Sequence, residues 1–265
     1  MMFVMTPKTL IIRTAGTNCD AELAYAFEQA GAQTQTIHIA RLIEEPDLIA
    51  SFDLIGFPGG FSYGDDIAAG RILANRLKHR LIEPLQDAAK RGVPMIGICN
   101  GFQVLVKLGL LPFPADANQV CTLADNTSGR FTCKWGPVAE DVSSVCIWTK
   151  GLGGFDLPIA HGEGRFTGPQ DLISQLKSSG QVALRYAPGA NPNGSDDDIA
   201  GICDPSGVIF GLMPHPERYV TATHHPQWTR QGEDFLSQTM PGLKIFENAV
   251  SHVRERYAAG VSADA

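Results

Sequence analysis

The chain has 265 residues, of which 44% are hydrophobic and 18% charged, and it carries a formal net charge of −7. That composition supports a sizeable core and excludes wholesale disorder. The acidic balance, with no run of more than two adjacent Lys or Arg, argues against a nucleic-acid binder.

In chain order, the opening MMFVMTPKTLIIRTAG lacks the basic start, long apolar run and cleavage site of a signal peptide. Thr9–Arg13 reads as a first strand. Asp20–Ala30, DAELAYAFEQA, has helical spacing, and Gly31 stops it in the manner of a left-handed cap. Gln35–Ile39 is a second strand, and Leu54–Phe57 a third that runs into PGGFSYGDD. Residues 68–91 read as mainly helical, interrupted near Pro84. Val93–Ile98 is a short buried strand, and a helical pattern follows over Gln103–Leu108. Strands alternating with helices predict an α/β fold, with a mostly parallel central sheet flanked by helices.

The second half has a different texture. Residues 117–166 hold shorter β-like runs such as Val145–Trp148, and Ala183–Tyr186 is another. Ala187–Asp198 is a polar, turn-rich loop. Val208–Met213 is an apolar strand, residues 222–242 are polar and irregular, and Leu243–Tyr257 is an amphipathic helix. These runs predict additional antiparallel strands, within one domain spanning residues 1–265. No apolar run approaches the ~20 residues that a bilayer span requires.

Cys99 lies at the junction of a strand and a helix, with Gly97 and Gly101 two residues to either side. This is the spacing of a nucleophile elbow with Cys in place of Ser. A sharp turn there needs small neighbours, and it sets the sulfur at a helix N-terminus, whose partial positive charge favours thiolate. The competing reading is a buried structural cysteine. A nucleophile needs a base and a group that orients it. In GLMPHPERY, His215 and Glu217 follow a strand and stand two residues apart. In an extended segment, held so by Pro214 and Pro216, both side chains fall on one side. The competing reading is a surface turn. Gly59-Gly60 ends another strand and exposes backbone N–H groups. With the N–H of Asn100 they form a candidate oxyanion hole.

The remaining cysteines, Cys19, Cys121, Cys133, Cys146 and Cys203, are scattered and form no C-x-x-C pair. A reducing, cytoplasmic setting suits them. No zinc spacing is present, and the adjacent His224 and His225 read as loop packing. No Walker-type phosphate loop occurs, so no ATP site is expected.

The strings GTNCD, GFPGGFSYGDD, GICNGFQ, SGRF, HGEGRF, NPNGS and GLMPHPER are similar to those of the class I (triad) glutamine amidotransferases. Within that family they resemble the glutaminase subunits of phosphoribosylformylglycinamidine synthase. The similarity runs from about Thr9 to Arg218 and resumes at GLKIFENAV. The resemblance implies a flavodoxin-like fold and hydrolysis of glutamine to glutamate and ammonia. Cys99 would be the nucleophile, His215 the acid–base and Glu217 its orienting partner. The N–H groups of Gly60 and Asn100 would bind the oxyanion, and Gln103, His161 and Gly162 would help hold glutamine. It further implies no cofactor or metal on this chain. ATP and magnesium would belong to a large synthetase subunit that converts formylglycinamide ribonucleotide to formylglycinamidine ribonucleotide in purine biosynthesis, with a small third subunit in some forms. Residues 112–127 and 221–241 depart from a compact version of the family and read as insertions, the second a candidate lid or partner contact. Ala15 stands where the family pattern leads one to expect proline. Two rivals are a γ-glutamyl hydrolase on the same scaffold and a non-catalytic module that kept the fold.

Overall fold

A computed structural model describes residues 5–260. The first four residues of the stretch read against a signal peptide, and the last five of the chain, lie outside that range. The elements run β1 (Lys8–Arg13), α1 (Asp20–Gln29), β2 (Gln33–His38), α2 (Ile39–Glu44), β3 (Leu54–Phe57), α3 (Arg71–Arg80), α4 (Ile82–Lys90), β4 (Met95–Ile98) and α5 (Asn100–Leu108). They continue with β5 (Thr122–Ala124), β6 (Thr132–Glu140), β7 (Gly154–His161), β8 (Arg165–Thr167), α6 (Gln170–Ser178), β9 (Val182–Tyr186), β10 (Ile199–Cys203), β11 (Ile209–Leu212) and α7 (Pro241–Ala258).

One nine-stranded sheet has the order β2-β1-β3-β4-β11-β10-β9-β6-β7, and β5 pairs with β8 in a separate ribbon. Strands β2, β1, β3, β4 and β11 are mutually parallel, and β10, β9, β6 and β7 extend them in antiparallel fashion. This is the α/β architecture the alternation predicted. The four residues of β3, of β4 and of β11 are all buried. Helices cover both faces of a parallel sheet, so its strands read as unbroken apolar runs. The edge strand β2, QTQTIH, is mostly polar, which blunts an exposed edge against foreign pairing.

Helix α1 buries Leu23, Ala26 and Phe27, the i, i+3, i+4 face of its turn. Phe27 meets Phe246 of α7 edge-on at 5.0 Å and Trp148 at 6.3 Å, and so joins the first and last helices. Gly31 has φ +88°, as a left-handed stop requires. Helix α5 is almost wholly buried because it lies directly on the sheet. Gly101 is the contact point, since a Cβ there would collide with the carbonyl of Phe57 on β3.

Three expectations need correction. The interruption in residues 68–91 falls at Leu81 (φ −133°), not at Pro84. Pro84 sits in the first turn of α4, where an N–H has no intrahelical partner to lose. Val145–Trp148 is not a strand. Val145 N–H donates to Gly180 O and Ile147 N–H to Gly207 O, two separate loops, while Trp148 is fully buried and donates Nε1–H to Val208 O. An apolar run signals burial, and here burial comes without a ladder. The β structure within residues 117–166 is also not uniformly short. β6 and β7 span 9 and 8 residues and pair in register from Thr132↔His161 to Ala139↔Gly154.

The segment 221–241 carries three short 3₁₀ turns. It is anchored by rings: His225 lies 5.3 Å from Trp135, 5.8 Å from Tyr219 and 5.8 Å from Phe235. His224 Nδ1 accepts the Val220 N–H. Both histidines thus do local packing work. No helix among the described residues is long and apolar enough to cross a membrane.

Candidate active site

In open α/β sheets, ligands sit beyond the carboxyl ends of the parallel strands, where strand order reverses. Here the reversal falls between β1 and β3. Four segments converge there: Asn18-Cys19 after β1, Gly60-Phe61 after β3, Cys99 after β4 and His215 after β11. Together with Asp65, Gln103, Arg130, His161–Glu163 and Arg218 they line a cavity of about 390 Å³.

Cys99 occupies the elbow with φ +51° and ψ −105°. Such values are rare outside glycine and cost of order 1–3 kcal/mol, a cost that folded proteins keep chiefly at functional positions. The conformation is held on both sides, by Cys99 N–H to Leu212 O at 2.8 Å and Gln103 N–H to Cys99 O at 3.1 Å. The thiol reaches the Ala160 carbonyl at 3.6 Å, and the residue is 7% exposed.

Gly60 has φ +138°, and a Cβ would come within 2.7 Å of Gly16 O and 2.8 Å of Asn18 N. The glycine lets the chain turn while its N–H stays open. Neither the Gly60 N–H nor the Asn100 N–H donates to another described group. Two unspent backbone donors beside a cysteine are the arrangement that stabilises a tetrahedral oxyanion.

His215 and Glu217 meet as expected, but not through an extended chain. Pro216–Arg218 forms a 3₁₀ turn, which corrects the prediction that the two prolines exclude helix. Proline excludes helix interiors, yet its fixed φ suits the first position of a turn. Across that turn the His215 ring, with Nδ1–H donating, lies 2.7 Å from Glu217 Oε1. Both residues are buried, at 2% and 1% exposure. Assigning the proton to Nδ1 leaves Nε2 as the basic nitrogen. Nε2 and Glu217 Oε2 have no hydrogen-bond partner among the described residues. Burial pulls the His215 pKa down, but the Glu217 carboxylate, followed by the sulfurs of Cys99 and Cys19, more than offsets it and sets it well above the usual histidine range.

Sequence reasoning counted Cys19 only among scattered thiols. Its sulfur lies with a His215 nitrogen and a Glu217 oxygen inside a 4.8 Å group. It accepts from Arg218 Nη2 at 3.0 Å and approaches Asn18 Oδ1 at 3.1 Å. Burial, foremost, pushes its pKa up. Within that group His215 Nδ1 and Glu217 Oε1 are spent on each other at 2.7 Å, the contact of an acid–base pair. Arg218 and Asp65 were also missed, although GTNCD, HPER and SYGDD carried them in plain view.

Gln103, His161 and Gly162 all border the cavity. Gln103 is buried. Its Nε2 donates to Glu163 O at 2.5 Å, and its Oε1 accepts from Asn100 Nδ2 at 3.0 Å. His161 is 3% exposed, with Nδ1 3.1 Å from Asn126 Oδ1 and Nε2 3.4 Å from Asn193 Nδ2. Burial and then the neighbouring His215 lower its pKa to about 4. Above about pH 6.5 the ring is neutral folded or unfolded, and as pH falls toward 4 only the unfolded chain takes up the proton. Stability should therefore fall by up to about 1.4 kcal/mol per pH unit between pH 6.5 and 4 from this residue alone. His161→Gln should show a flatter slope than the parent in denaturant titrations across that window. Equal slopes would mean that the ring titrates normally in the fold.

Residues 6–253 match the CobB/CobQ-like glutamine amidotransferase domain. The chain is 48% identical over 253 residues to a protein of Dehalococcoides mccartyi named phosphoribosylformylglycinamidine synthase subunit PurQ, covering 94% of this chain and 98% of that one. It is 40% identical over 270 residues to the protein of the same name from Methanococcus maripaludis, covering 95% and 99%. Among solved structures, a chain of PurLQS from Thermotoga maritima matches with a TM-score of 0.69 and 31% identity over 94% of this chain and 99% of that one. A parallel sheet ending in a strained cysteine, a buried histidine–carboxylate pair and two open backbone donors thus coincides with whole-length likeness: this chain belongs to the CobB/CobQ-like glutamine amidotransferases, in the group of PurQ subunits.

Proposed function

We propose that this chain hydrolyses the side-chain amide of glutamine and passes the ammonia to a synthetase partner that makes formylglycinamidine ribonucleotide in purine biosynthesis. The observation that carries the reading is the convergence, in one cavity, of Cys99 at its elbow, the His215–Glu217 pair and the two unspent N–H groups. His215 Nε2 holds the proton that Cys99 gives up, and the sulfur attacks the amide carbon. The Gly60 and Asn100 N–H groups bind the oxyanion. Collapse breaks the C–N bond, and His215 returns the proton to the leaving nitrogen, releasing ammonia and leaving a γ-glutamyl thioester. Water then gives a proton to His215 and attacks the thioester, and glutamate leaves as Cys99 recovers its proton. Glu217 holds the imidazole in the required tautomer and stabilises its charged form. Gln103, His161 and Gly162 shape the glutamine-binding wall, the two side chains from behind it.

Cys99, and not Cys19, is the nucleophile in this reading. Cys19 is 1% exposed, its sulfur is engaged by Arg218, and burial keeps it protonated. In this reading ATP and magnesium are held by the large synthetase subunit, joined in some complexes by a small third one. The cytoplasm is the fitting compartment. The test is alkylation with a diazoketone analogue of glutamine, followed by peptide mass mapping. An adduct on Cys99 that glutamine suppresses is expected. An adduct on Cys19, or none, would overturn the assignment.

A further inference from the structure

The cavity wall carries charge that the hydrolytic chemistry does not use. Asp65 lines it, at the end of a stretch whose backbone is left-handed at three successive positions: Tyr63 (φ 55°), Gly64 (φ 74°) and Asp65 (φ 53°). Two of these are not glycine, and backbone strain of this kind persists where the surroundings over-determine it. The surroundings here are specific. Asp65 Oδ1 accepts the Gly70 N–H at 3.0 Å and Asn100 Nδ2–H at 3.2 Å. Asn100 follows the nucleophile directly in sequence, so the carboxylate is tied to the reaction centre by one side chain. Asn100 Oδ1 in turn accepts the Ser62 N–H at 3.3 Å, closing the loop around Asp65. Oδ2 takes no hydrogen bond from any described residue.

We infer that Asp65 binds the α-ammonium of the amino-acid substrate, through Oδ2 at the cavity wall. The inference rests on the glutaminase reading above. Three C–C bonds separate the amide carbon of glutamine from its α-carbon, so an ammonium must lie close to the amide pocket, and a wall fastened to Asn100 meets that need. Lys107, one turn of α5 beyond Gln103, is flanked by two carboxylates, Asp65 and Glu163. Glu163 Oε2 is already spent on the Ala69 N–H at 3.2 Å. Arg71 is the other cation acting on Lys107, and Asp66 the other acid acting on Asp65. Burial, the largest cause, raises the Asp65 pKa; the hydrogen bonds from Gly70 and Asn100 and the charge of Lys107 offset it only in part, and a bound ammonium relieves the rest. Arg130 lines the same cavity with a guanidinium that no described residue pairs, a complement for the substrate α-carboxylate. A ligand that fills the cavity displaces water from the Asp65 carboxylate, and an analogue without the amine returns no partner for it, which is how a polar site rejects an analogue lacking one group.

The experiment compares L-glutamine with glutaramate, which keeps the amide and the carboxylate but lacks the amine. Both are measured on the protein reconstituted with its synthetase partner, glutamine by ammonia release and glutaramate by its Ki against glutamine. Asp65→Asn preserves the acceptor that Gly70 and Asn100 use. It should raise the KM for glutamine ~10- to 100-fold, the worth of a charge-assisted hydrogen bond, with kcat changed far less and the Ki of glutaramate unchanged. Asp65→Glu should recover part of the loss. The ratio of Ki to KM is insensitive to a fraction of unfolded enzyme, so it survives partial misfolding. Parallel weakening of both ligands, or no change in KM, would overturn the assignment and reduce Asp65 to a support for Asn100. Selective loss in Glu163→Gln but not in Asp65→Asn would overturn it as well. A parent enzyme that releases no ammonia from glutamine would instead sink the glutaminase reading itself.

Discussion

Cys99→Gly and Cys99→Ala should each lose ammonia release from glutamine by on the order of 10⁴-fold or more, because the covalent path disappears with the sulfur. Their stabilities should differ in an unusual direction. Alanine normally beats glycine in a folded backbone by about 0.5–1 kcal/mol. At φ +51°, ψ −105° the order reverses, since a Cβ there is strained and glycine is not. The glycine variant should be the more stable of the two by about 1 kcal/mol in urea or guanidinium titrations. An alanine variant at least as stable as the glycine one would mean that Cys99 bears no strain, and the elbow would lose its physical meaning. Residual activity within tenfold of the parent in either variant would remove Cys99 from the chemistry.

Glu217→Gln is the second large effect. The substitution keeps shape and burial, but an amide cannot stabilise an imidazolium, and its N–H₂ end can present itself to Nδ1 and enforce the wrong tautomer. We expect kcat to fall by roughly 10²- to 10⁴-fold with KM for glutamine changed little, because Glu217 stands behind His215 and does not line the cavity. The same variant has a signature in stability. His215 is buried, which by itself lowers its pKa, yet the carboxylate and the sulfurs raise it above the usual value. A raised histidine pKa gives stability that is fully present below about pH 6.5 and is lost as pH climbs through the folded value. The parent should therefore outlast Glu217→Gln by more at pH 6 than at pH 9 in denaturant titrations. A difference that is flat with pH would show that the carboxylate does not hold charge on the imidazole. An unchanged kcat would leave Glu217 as packing alone.

Much of this was legible in the linear sequence, for identifiable reasons. The buried parallel strands announce themselves as short apolar runs, because both of their faces are covered. The elbow is visible because close approach of α5 to β3 admits only glycine at position 101. The His-x-Glu spacing is short enough that a single turn can bring the two side chains together. Periodicity fails where burial and secondary structure part company. Val145–Trp148 is apolar because it plugs the core, and loops satisfy its backbone. Pro216 starts a 3₁₀ turn, although its neighbourhood reads as extended.

What the sequence determined on its own was local: which runs are buried, where the chain must turn, and which side chains are suited to nucleophilic and acid–base chemistry. The tertiary structure decided which of them meet. Cys19 and Arg218 stand 199 positions apart yet touch at 3.0 Å, and Asp65 joins Asn100 across 35. No pattern along the chain encodes these pairings. They follow from the order in which the strands assemble, which places the ends of β1, β3, β4 and β11 around one cavity and sets Asp65 in its wall.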